Sequence, residues 1–163
     1  MVDITDVLLN EGKRSEYVTS LQTDRFSYRF GKFPLVGDRT VRIVLENIGD
    51  KKLLLEGEAS LTVMIPCARC LKPVKTALPV QFSYETELEE TEYIDGYNLN
   101  VDQLIHDESL LVWPERVLCR EDCKGLCSSC GHDLNEGPCG CSATELDPRM
   151  AKILDIFNNS KEV

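Results

Sequence analysis

The chain has 163 residues, 42% of them hydrophobic, and a formal net charge of −10. This length and composition suit one globular domain with its own hydrophobic core. The apolar runs are too short to span a bilayer, and the acidic balance argues against nonspecific binding of duplex nucleic acid through a broad basic face. The charge is uneven, however: residues 1–80 hold 12 Lys and Arg against 10 Asp and Glu, whereas residues 81–163 hold 6 against 18. Binding of RNA by a local patch, or of a basic protein, therefore stays open.

The N-terminal part of the sequence predicts mainly β-structure. Residues 4–9 are a short apolar stretch that suits a strand or one helical turn, and residues 13–24 are polar without a clear period. Residues 25–30 alternate between polar and aromatic side chains and predict a strand. A loop is predicted over residues 31–37 and a further strand over residues 41–46.

Two longer segments predict a β-hairpin with a cysteine pair at its tip. Apart from Gly57 and Thr76, apolar side chains recur at every second position from residue 53 to 65 and again from 74 to 84. This period of two is typical of strands that bury one face. The turn between them contains the sequence Cys67-Ala-Arg-Cys70. A metal ion bound there would join the hairpin tip to whichever segment supplies the other ligands.

The C-terminal half predicts two helices separated by a cysteine-rich segment. Asn100-Val-Asp-Gln103 has the pattern of a capping box, so a helix is predicted over residues 101–112, which Pro114 ends. Asp147-Pro148 supplies an N-cap residue and a proline at the first helical position, which predicts a closing helix over residues 147–158.

Eight cysteines dominate the chemistry of the sequence, and six of them lie between residues 119 and 141. Cys127-Ser-Ser-Cys130-Gly131 has the pattern of a zinc knuckle, in which a tight turn places two sulfurs side by side. Because no apolar export signal begins the sequence, we expect reducing conditions, under which such clusters bind metal. Two structural Zn²⁺ sites of four cysteines each are predicted, with an iron–sulfur cluster or a disulfide framework as the alternatives. The predicted ligands are Cys67, Cys70, Cys119, Cys123, Cys127, Cys130, Cys139 and Cys141.

The sequence permits two groupings of these ligands. Short loops close at little entropic cost, which favours one site of Cys127, Cys130, Cys139 and Cys141 and a second of Cys67, Cys70, Cys119 and Cys123. The alternative pairs the two CxxC motifs and leaves the other four cysteines together. His132 and His106 are weaker ligand candidates, because eight cysteines already complete two sites.

Charged side chains suggest two kinds of partner. Basic residues near the first cysteine pair and on the predicted sheet are candidate RNA contacts, namely Arg69, Lys72, Lys75, Arg25, Arg29 and Arg42. The acidic stretch from Glu85 to Asp95 is expected to be a solvated strand end or loop, or else a docking segment for a basic partner. The sequence has no glycine-rich nucleotide motif and no HExxH motif, so we expect no enzyme activity and no small-molecule substrate.

Two segments resemble a known bacterial family. IPCARCLKPV at 65–74, and LVWPERVLCREDCKGLCSSCGHDLNEGPCGC at 111–141 followed by DPRM at 147–150, resemble the YceD-like family, also called the large ribosomal RNA subunit accumulation protein family. The resemblance implies a cytoplasmic protein that is needed for normal levels of large-subunit ribosomal RNA and has no established catalytic activity. It carries over all eight cysteines.

The sequence therefore predicts one α+β domain over residues 1–163. Residues 1–98 are expected to be mainly β, as a twisted antiparallel sheet or partial barrel, and residues 99–163 to hold two C-terminal helices and a zinc-binding region at 119–141. The predicted function is that of a non-catalytic, zinc-binding ribosome biogenesis factor needed for 23S rRNA accumulation, which binds precursor 23S rRNA or an early large-subunit ribosomal protein. The alternative is an acidic scaffold or chaperone for a basic ribosomal protein, without RNA contact. No membrane partner is expected.

Overall fold

A computed structural model describes residues 1–29, 31–88 and 91–141. Within these ranges the chain is rich in β-structure and has two helices. The elements in chain order are β1 (Val2–Asp3), α1 (Thr5–Leu9), β2 (Arg14–Ser20), β3 (Arg25–Tyr28), β4 (Gly31–Pro34), β5 (Thr40–Gly49), β6 (Lys52–Pro66), β7 (Pro73–Glu87), β8 (Ile94–Asp95), β9 (Asn98–Leu99) and α2 (Val101–Leu111). The predicted closing helix at 147–158 lies outside the described residues.

Four strands form the main antiparallel sheet, in the order β2-β5-β6-β7. The pairing of β6 with β7 is continuous from Lys52 opposite Glu87 to Pro66 opposite Pro73. This confirms the predicted hairpin, with the first cysteine pair in its turn. Each strand has 15 residues, so the hairpin spans roughly 45 Å.

One face of this sheet is buried, as the alternating pattern predicts. In β6 the core residues are every second residue from Leu53 to Ile65, apart from Gly57, and β5 and β7 bury alternate residues on the same side. Helix α1 covers β5, α2 covers β7, and β4 covers β6. The opposite face is polar: Arg14, for example, forms ion pairs with Glu46 at 2.9 Å and with Glu56 at 2.6 Å.

Helix α2 brings the chain to the cysteine-rich segment. The Asn100 side chain accepts a hydrogen bond from the Gln103 backbone N–H at 3.3 Å, and the Asn100 amide donates to Gln103 Oε1 at 3.3 Å. The predicted reciprocal cap is therefore present, although its second bond joins two side chains. The helix ends at Leu111, three residues before Pro114, because a proline disfavours helical angles in the residue before it.

Several N-terminal predictions were wrong in detail. Residues 13–24 contain β2, an edge strand that pairs only with β5 and leaves alternate residues exposed, so its apolar signal is weak. The predicted loop at 31–37 contains β4, in which Phe33 pairs with Phe26 of β3. Pro34 is tolerated because it ends that strand. Residues 4–9 took the helical alternative, as α1.

The predicted class was right only in its coarser form. An antiparallel sheet is present, but β2 and β7 are two separate edges of the main sheet, so the described strands do not close into a barrel. The two described helices are not both C-terminal, because α1 lies near the N-terminus. Its C-terminal carbonyls are stabilised by Asn47, whose buried side-chain amide donates to Val7 O at 3.0 Å and Leu8 O at 3.2 Å.

Gly57 supports a testable packing prediction. The Phe82 ring lies over this glycine, and a Cβ at position 57 would come within 2.2 Å of Phe82 Cζ. We expect Gly57→Ala to destabilise the protein by about 1–3 kcal/mol, because the buried ring must leave its position. Urea unfolding of Gly57→Ala, Phe82→Leu and the double variant measures the effect. The cost should shrink in the Phe82→Leu background, and equal costs in both backgrounds would contradict the contact.

Candidate metal centres

The eight cysteines come together as two groups, which we call site 1 and site 2. Site 1 consists of Cys67, Cys70, Cys119 and Cys123, and site 2 of Cys127, Cys130, Cys139 and Cys141. In each group the four sulfur atoms lie within 4.8 Å of one another. This is the grouping that loop length favours, and either group could hold a metal ion.

The sulfur geometry of site 1 fits a tetrahedral ion. Cys67 Sγ lies 3.8 Å from Cys123 Sγ, and Cys70 Sγ lies 3.5 Å from Cys119 Sγ. Four thiolates bound at about 2.3 Å to one ion would lie about 3.8 Å apart, whereas a disulfide needs about 2.05 Å. All eight cysteines are free. The donor set therefore suits a thiolate-bound metal and not a disulfide framework.

The two CxxC turns share one backbone pattern. In the first, Cys67 N donates to Lys72 O at 2.8 Å and Leu71 N donates to Cys67 O at 3.0 Å. The second turn repeats both bonds, from Cys127 N to His132 O at 2.8 Å and from Gly131 N to Cys127 O at 2.9 Å. The sequence Cys-x-x-Cys-x-x thus folds the same way twice.

The residue after the second cysteine explains how this turn is made. Gly131 has φ of 74°, and Leu71 at the matching position has φ of 61°. This left-handed conformation costs a glycine little and costs a leucine of order 1–3 kcal/mol. The first turn therefore has the same conformation without a glycine. Contacts around this turn must hold Leu71 in the left-handed conformation.

Backbone contacts hold site 1 together across a long sequence separation. Ala68 N donates to Val117 O at 2.8 Å, and Leu126 N donates to Arg69 O at 3.2 Å. The Arg69 side chain donates to Cys123 O at 2.6 Å. Gly125 is required here, because it has φ of 80° and a Cβ would lie 3.0 Å from Arg69 O. The hairpin tip is thereby fixed to the cysteine-rich segment on both sides of the metal ligands.

An ion pair links site 1 to the loop of site 2. Lys72 Nζ lies 2.7 Å from Asp133 Oδ2 and 3.0 Å from Glu136 Oε1. The Lys72 ammonium and the backbone N–H of Asn135 lower the pKa of Asp133 to about 2, and the two carboxylates raise the pKa of Lys72. Lys72 and Asp133 are therefore both charged at neutral pH and attract each other across the junction.

Asn135 is a supporting residue that the sequence reasoning missed. Its side-chain oxygen accepts from Lys124 N and from Arg120 Nη2, both at 2.8 Å, and its amide donates to Cys123 Sγ at 3.4 Å. The same amide donates to Asp133 Oδ1 at 2.6 Å. Asn135 therefore orients a ligand sulfur from outside the ligand set. The turn-forming sequence Asp133-Leu-Asn135 was the available signal.

In each site some cysteine thiols have a lowered pKa and others a raised one, so negative charge is distributed unequally among the four sulfurs. Burial raises the pKa of the Cys67 thiol, but the backbone amides of Cys70 and Arg69 outweigh this effect and lower the pKa to about 6. Backbone amides of Cys130 and Ser129 likewise lower the pKa of Cys127 to about 6.

The partner sulfurs shift the other way. A hydrogen bond to Cys70 and partial loss of solvent raise the pKa of Cys119 to about 12, and a bond to Cys130 does the same for Cys141. Four thiolates in contact repel one another, so a divalent cation is the natural partner of such a cluster.

The two sites differ in burial and in what they connect. In site 1, Cys67, Cys70 and Cys123 are buried, whereas in site 2 Cys130 and Cys141 are exposed. Site 1 joins residues 49 to 56 positions apart, and site 2 lies within one loop. Site 1 thus carries the tertiary connection. Neither histidine is in a site: His106 stacks on Phe26 with ring centroids 4.7 Å apart, and the backbone carbonyl of His132 accepts from Cys127.

The six candidate RNA contacts lie on several different elements of the fold. Arg69 and Lys72 are engaged at the metal sites, and Arg42 on β5 pairs with Glu16 at 3.3 Å and Glu58 at 3.5 Å. Lys75 is exposed on β7. Arg25 and Arg29 lie on and beside the β3–β4 hairpin, where the Arg29 guanidinium is 5.5 Å from the centroid of the Tyr28 ring.

The fold is rich in β-structure, and its hairpin tip is joined to a four-cysteine cluster that could hold a metal ion. The chain matches the family described as large ribosomal RNA subunit accumulation protein YceD, over residues 55–157. It belongs to the YceD family, as the hairpin and cysteine motifs indicated. The matched range includes both cysteine sites and most of the main hairpin.

Curated relatives come from mycobacteria. Uncharacterized proteins of Mycobacterium tuberculosis and Mycobacterium bovis are each 33% identical over 116 residues, which are 64% of this chain and 56% of the relative. An uncharacterized protein of Mycobacterium leprae is 28% identical over 135 residues, covering 76% of this chain and 59% of that protein. The alignments thus take in less than two thirds of these relatives' length. No solved structure matches. Neither helix in the described ranges is long and apolar enough to cross a membrane.

Because site 1 joins distant segments and site 2 closes one loop, substitution of a cysteine should affect thermal stability differently at the two sites. We expect Cys70→Ser and Cys139→Ser each to remove one of two bound metal ions per chain, measured by elemental analysis of purified protein. Cys70→Ser should also free the hairpin tip and lower the thermal midpoint, whereas Cys139→Ser should leave the midpoint close to wild type. Equal midpoints for the two variants would contradict the assignment of the tertiary connection to site 1.

The position of Asn135 predicts a specific weakening of site 1. We expect Asn135→Ala to lower metal affinity at site 1 on the order of tenfold, because residues that orient ligands contribute this much. Chelator competition on the Cys139→Ser background isolates site 1. Asn135→Gln retains the amide but moves it by one methylene and should also weaken binding. Unchanged affinity in both variants would show that the contact with Cys123 is dispensable.

Proposed function

We propose that this protein is a non-catalytic biogenesis factor for the large ribosomal subunit, needed for accumulation of 23S rRNA, with structural Zn²⁺ in both sites. Membership of a family described by large ribosomal RNA accumulation is the observation that carries the proposal. The protein would act in the cytoplasm, where large-subunit precursors are assembled.

The choice of zinc rests on the donor set. Each site offers four thiols and no histidine or carboxylate ligand, and four thiolates complete the tetrahedron that structural zinc prefers. Catalytic zinc generally keeps one position for water or substrate, and this set provides no such position. The backbone N–H groups directed at Cys67 and Cys127 are also suited to stabilise metal-bound thiolate sulfur. We therefore assign the metal a role in holding the hairpin tip.

The partner that the charges favour is precursor 23S rRNA. Residues 25–37 contain Arg25, Arg29 and Lys32 and no Asp or Glu, within a chain of net charge −10. This segment forms the β3–β4 hairpin and carries aromatic side chains between the cations. Local basic and aromatic surface is what single-stranded RNA recognition requires.

A second candidate is a scaffold for a basic large-subunit ribosomal protein. Glu85, Glu87, Glu92 and Asp95 are exposed. Glu85 and Glu87 lie at the end of the main hairpin away from the cysteine turn. This end of the main hairpin carries carboxylates, whereas the β3–β4 hairpin carries cations. It gives a basic protein a place to bind without contact to the metal sites.

Depletion from its native cells tests the proposed role. We expect the ratio of 23S to 16S rRNA to fall and to be restored by wild-type protein, but not by Cys70→Ser. Lys51→Ala, a change in the turn between β5 and β6, is the surface control and should restore the ratio fully. An unchanged ratio after depletion would overturn the assignment to large-subunit biogenesis.

Purified protein separates the two partners. Precursor 23S transcripts should bind in a salt-dependent manner, and Arg25→Glu should weaken binding several-fold, since a phosphate contact is replaced by repulsion. Combined Glu85→Gln and Glu87→Gln should leave RNA binding intact. The scaffold function would instead be supported by two results together. Wild-type protein would bind a basic ribosomal protein but no RNA, and the neutralised variant would no longer bind that ribosomal protein.

A further inference from the structure

A cleft of about 300 Å³ lies beside the cysteine turn of the main hairpin. It is bounded by three separate parts of the chain: the β3–β4 hairpin, the end of β6 with the first knuckle, and the segment that follows α2. Its lining includes Tyr28, Phe33, Leu71, Trp113, Glu115 and Arg116. A cleft of this size is at the lower end of the range for small-molecule sites.

Three aromatic rings lie in the lining, those of Tyr28, Phe33 and Trp113. Trp113 stacks with Tyr28 at a centroid distance of 4.9 Å and packs against Phe33 at 5.2 Å. Behind these rings, Phe26 stacks with Trp113 at 5.0 Å and with His106 at 4.7 Å. Phe26 is buried, whereas Tyr28, Phe33 and Trp113 are half-buried. The buried ring therefore fixes a group of rings that stay partly accessible.

The position of the aromatic group is set by the surrounding fold. The His106 side chain of α2 donates from Nε2 to Ser27 O at 2.8 Å, which holds the β3–β4 hairpin against the helix. On the other side, the Ala68 N–H bond to Val117 O fixes the segment after α2 to the knuckle. The cleft is thus preformed, which reduces the entropic cost of binding a ligand.

Charged side chains of both signs lie at this cleft. Arg116 is exposed in the lining beside the exposed carboxylate of Glu115, and the Arg29 guanidinium lies 5.5 Å from the centroid of the Tyr28 ring. The combination of accessible rings with cations at the edge complements a flat aromatic base attached to a phosphate.

We propose that this cleft binds an unpaired nucleobase of single-stranded RNA, stacked against the Tyr28 and Trp113 rings, with Arg116 and Arg29 contacting the flanking phosphates. The inference rests on the proposed function and names the part of the surface that recognises RNA. A duplex would not enter, because paired bases are stacked within the helix and unavailable to side chains. An apolar peptide is the other class of occupant for such lining, and the cations argue against it.

The single tryptophan of the chain makes the proposal directly measurable. Because Trp113 lines the cleft, binding of a short unstructured oligouridine or oligoadenine should quench its fluorescence in a saturable manner. An RNA duplex of the same length is the ligand control and should quench weakly. The experiment uses the full chain loaded with metal.

Matched variants test the two kinds of contact. Tyr28→Ala should weaken oligonucleotide binding on the order of tenfold or more, because base stacking is lost, and Tyr28→Phe should bind far more tightly than Tyr28→Ala. Arg116→Glu should weaken binding and reduce its salt dependence. Lys51→Glu makes the same charge change at the opposite end of β6 and should bind like wild type. Unfolding curves confirm that each variant is folded.

The possible outcomes separate this proposal from the proposed function. If oligonucleotides fail to quench Trp113 while precursor 23S transcripts still bind, the cleft is not the site, although the biogenesis role stands. If neither RNA binds, both the cleft proposal and the RNA-binding role fall. Equal binding by Arg116→Glu and Lys51→Glu, or quenching by a ribosomal-protein peptide but not by RNA, would also overturn the cleft proposal.

Discussion

The connection between the tip of the β6–β7 hairpin and the segment after α2 is the constraint on which the rest of the structure depends. Two cysteines of the hairpin turn meet two others 49 to 56 positions away. The hairpin is roughly 45 Å long. Contacts at its tip come from the four sulfurs, from the Arg69 side chain on the Cys123 carbonyl and from the backbone bond between Ala68 and Val117. Metal binding at such a site contributes directly to folding free energy.

The same connection determines how the surface beside it is built. The segment from Trp113 to Val117 runs from α2 to the first metal site, so it is fixed at both ends. That places Trp113 against the rings of the β3–β4 hairpin. Site 2, by contrast, closes one loop and contacts site 1 through the Lys72–Asp133 ion pair. The contacts at site 1 therefore bear on the surface beside the cysteine turn, whereas site 2 closes its own loop.

Sequence periodicity predicted the strands in which apolar and polar residues alternate because one face is buried. The alternation from Leu53 to Ile65 located β6 because one face of that strand packs on the core. Strand β2 was missed because it lies at an edge of the sheet and carries polar residues on both sides. The cysteine spacing favoured the two groups of four that the structure brings together, but the contacts of Arg69, Lys72 and Asn135 could not be predicted. Their bonds to distant carbonyls, carboxylates and sulfur exist only once the two segments meet.

The positions of the charged residues also bear on whether RNA can approach the cleft. Opposite charges in one chain would neutralise each other if they were adjacent, and several do so on the polar face of the sheet, where Arg42 lies between Glu16 and Glu58. The acidic end of the main hairpin instead lies roughly 45 Å along the strands from the cysteine turn. At physiological ionic strength the screening length is about 8 Å, so the acidic end exerts little repulsion on a phosphate at the cleft. The charges that act on a phosphate at the cleft are therefore the local ones, which are the cations Arg116 and Arg29 and the carboxylate Glu115.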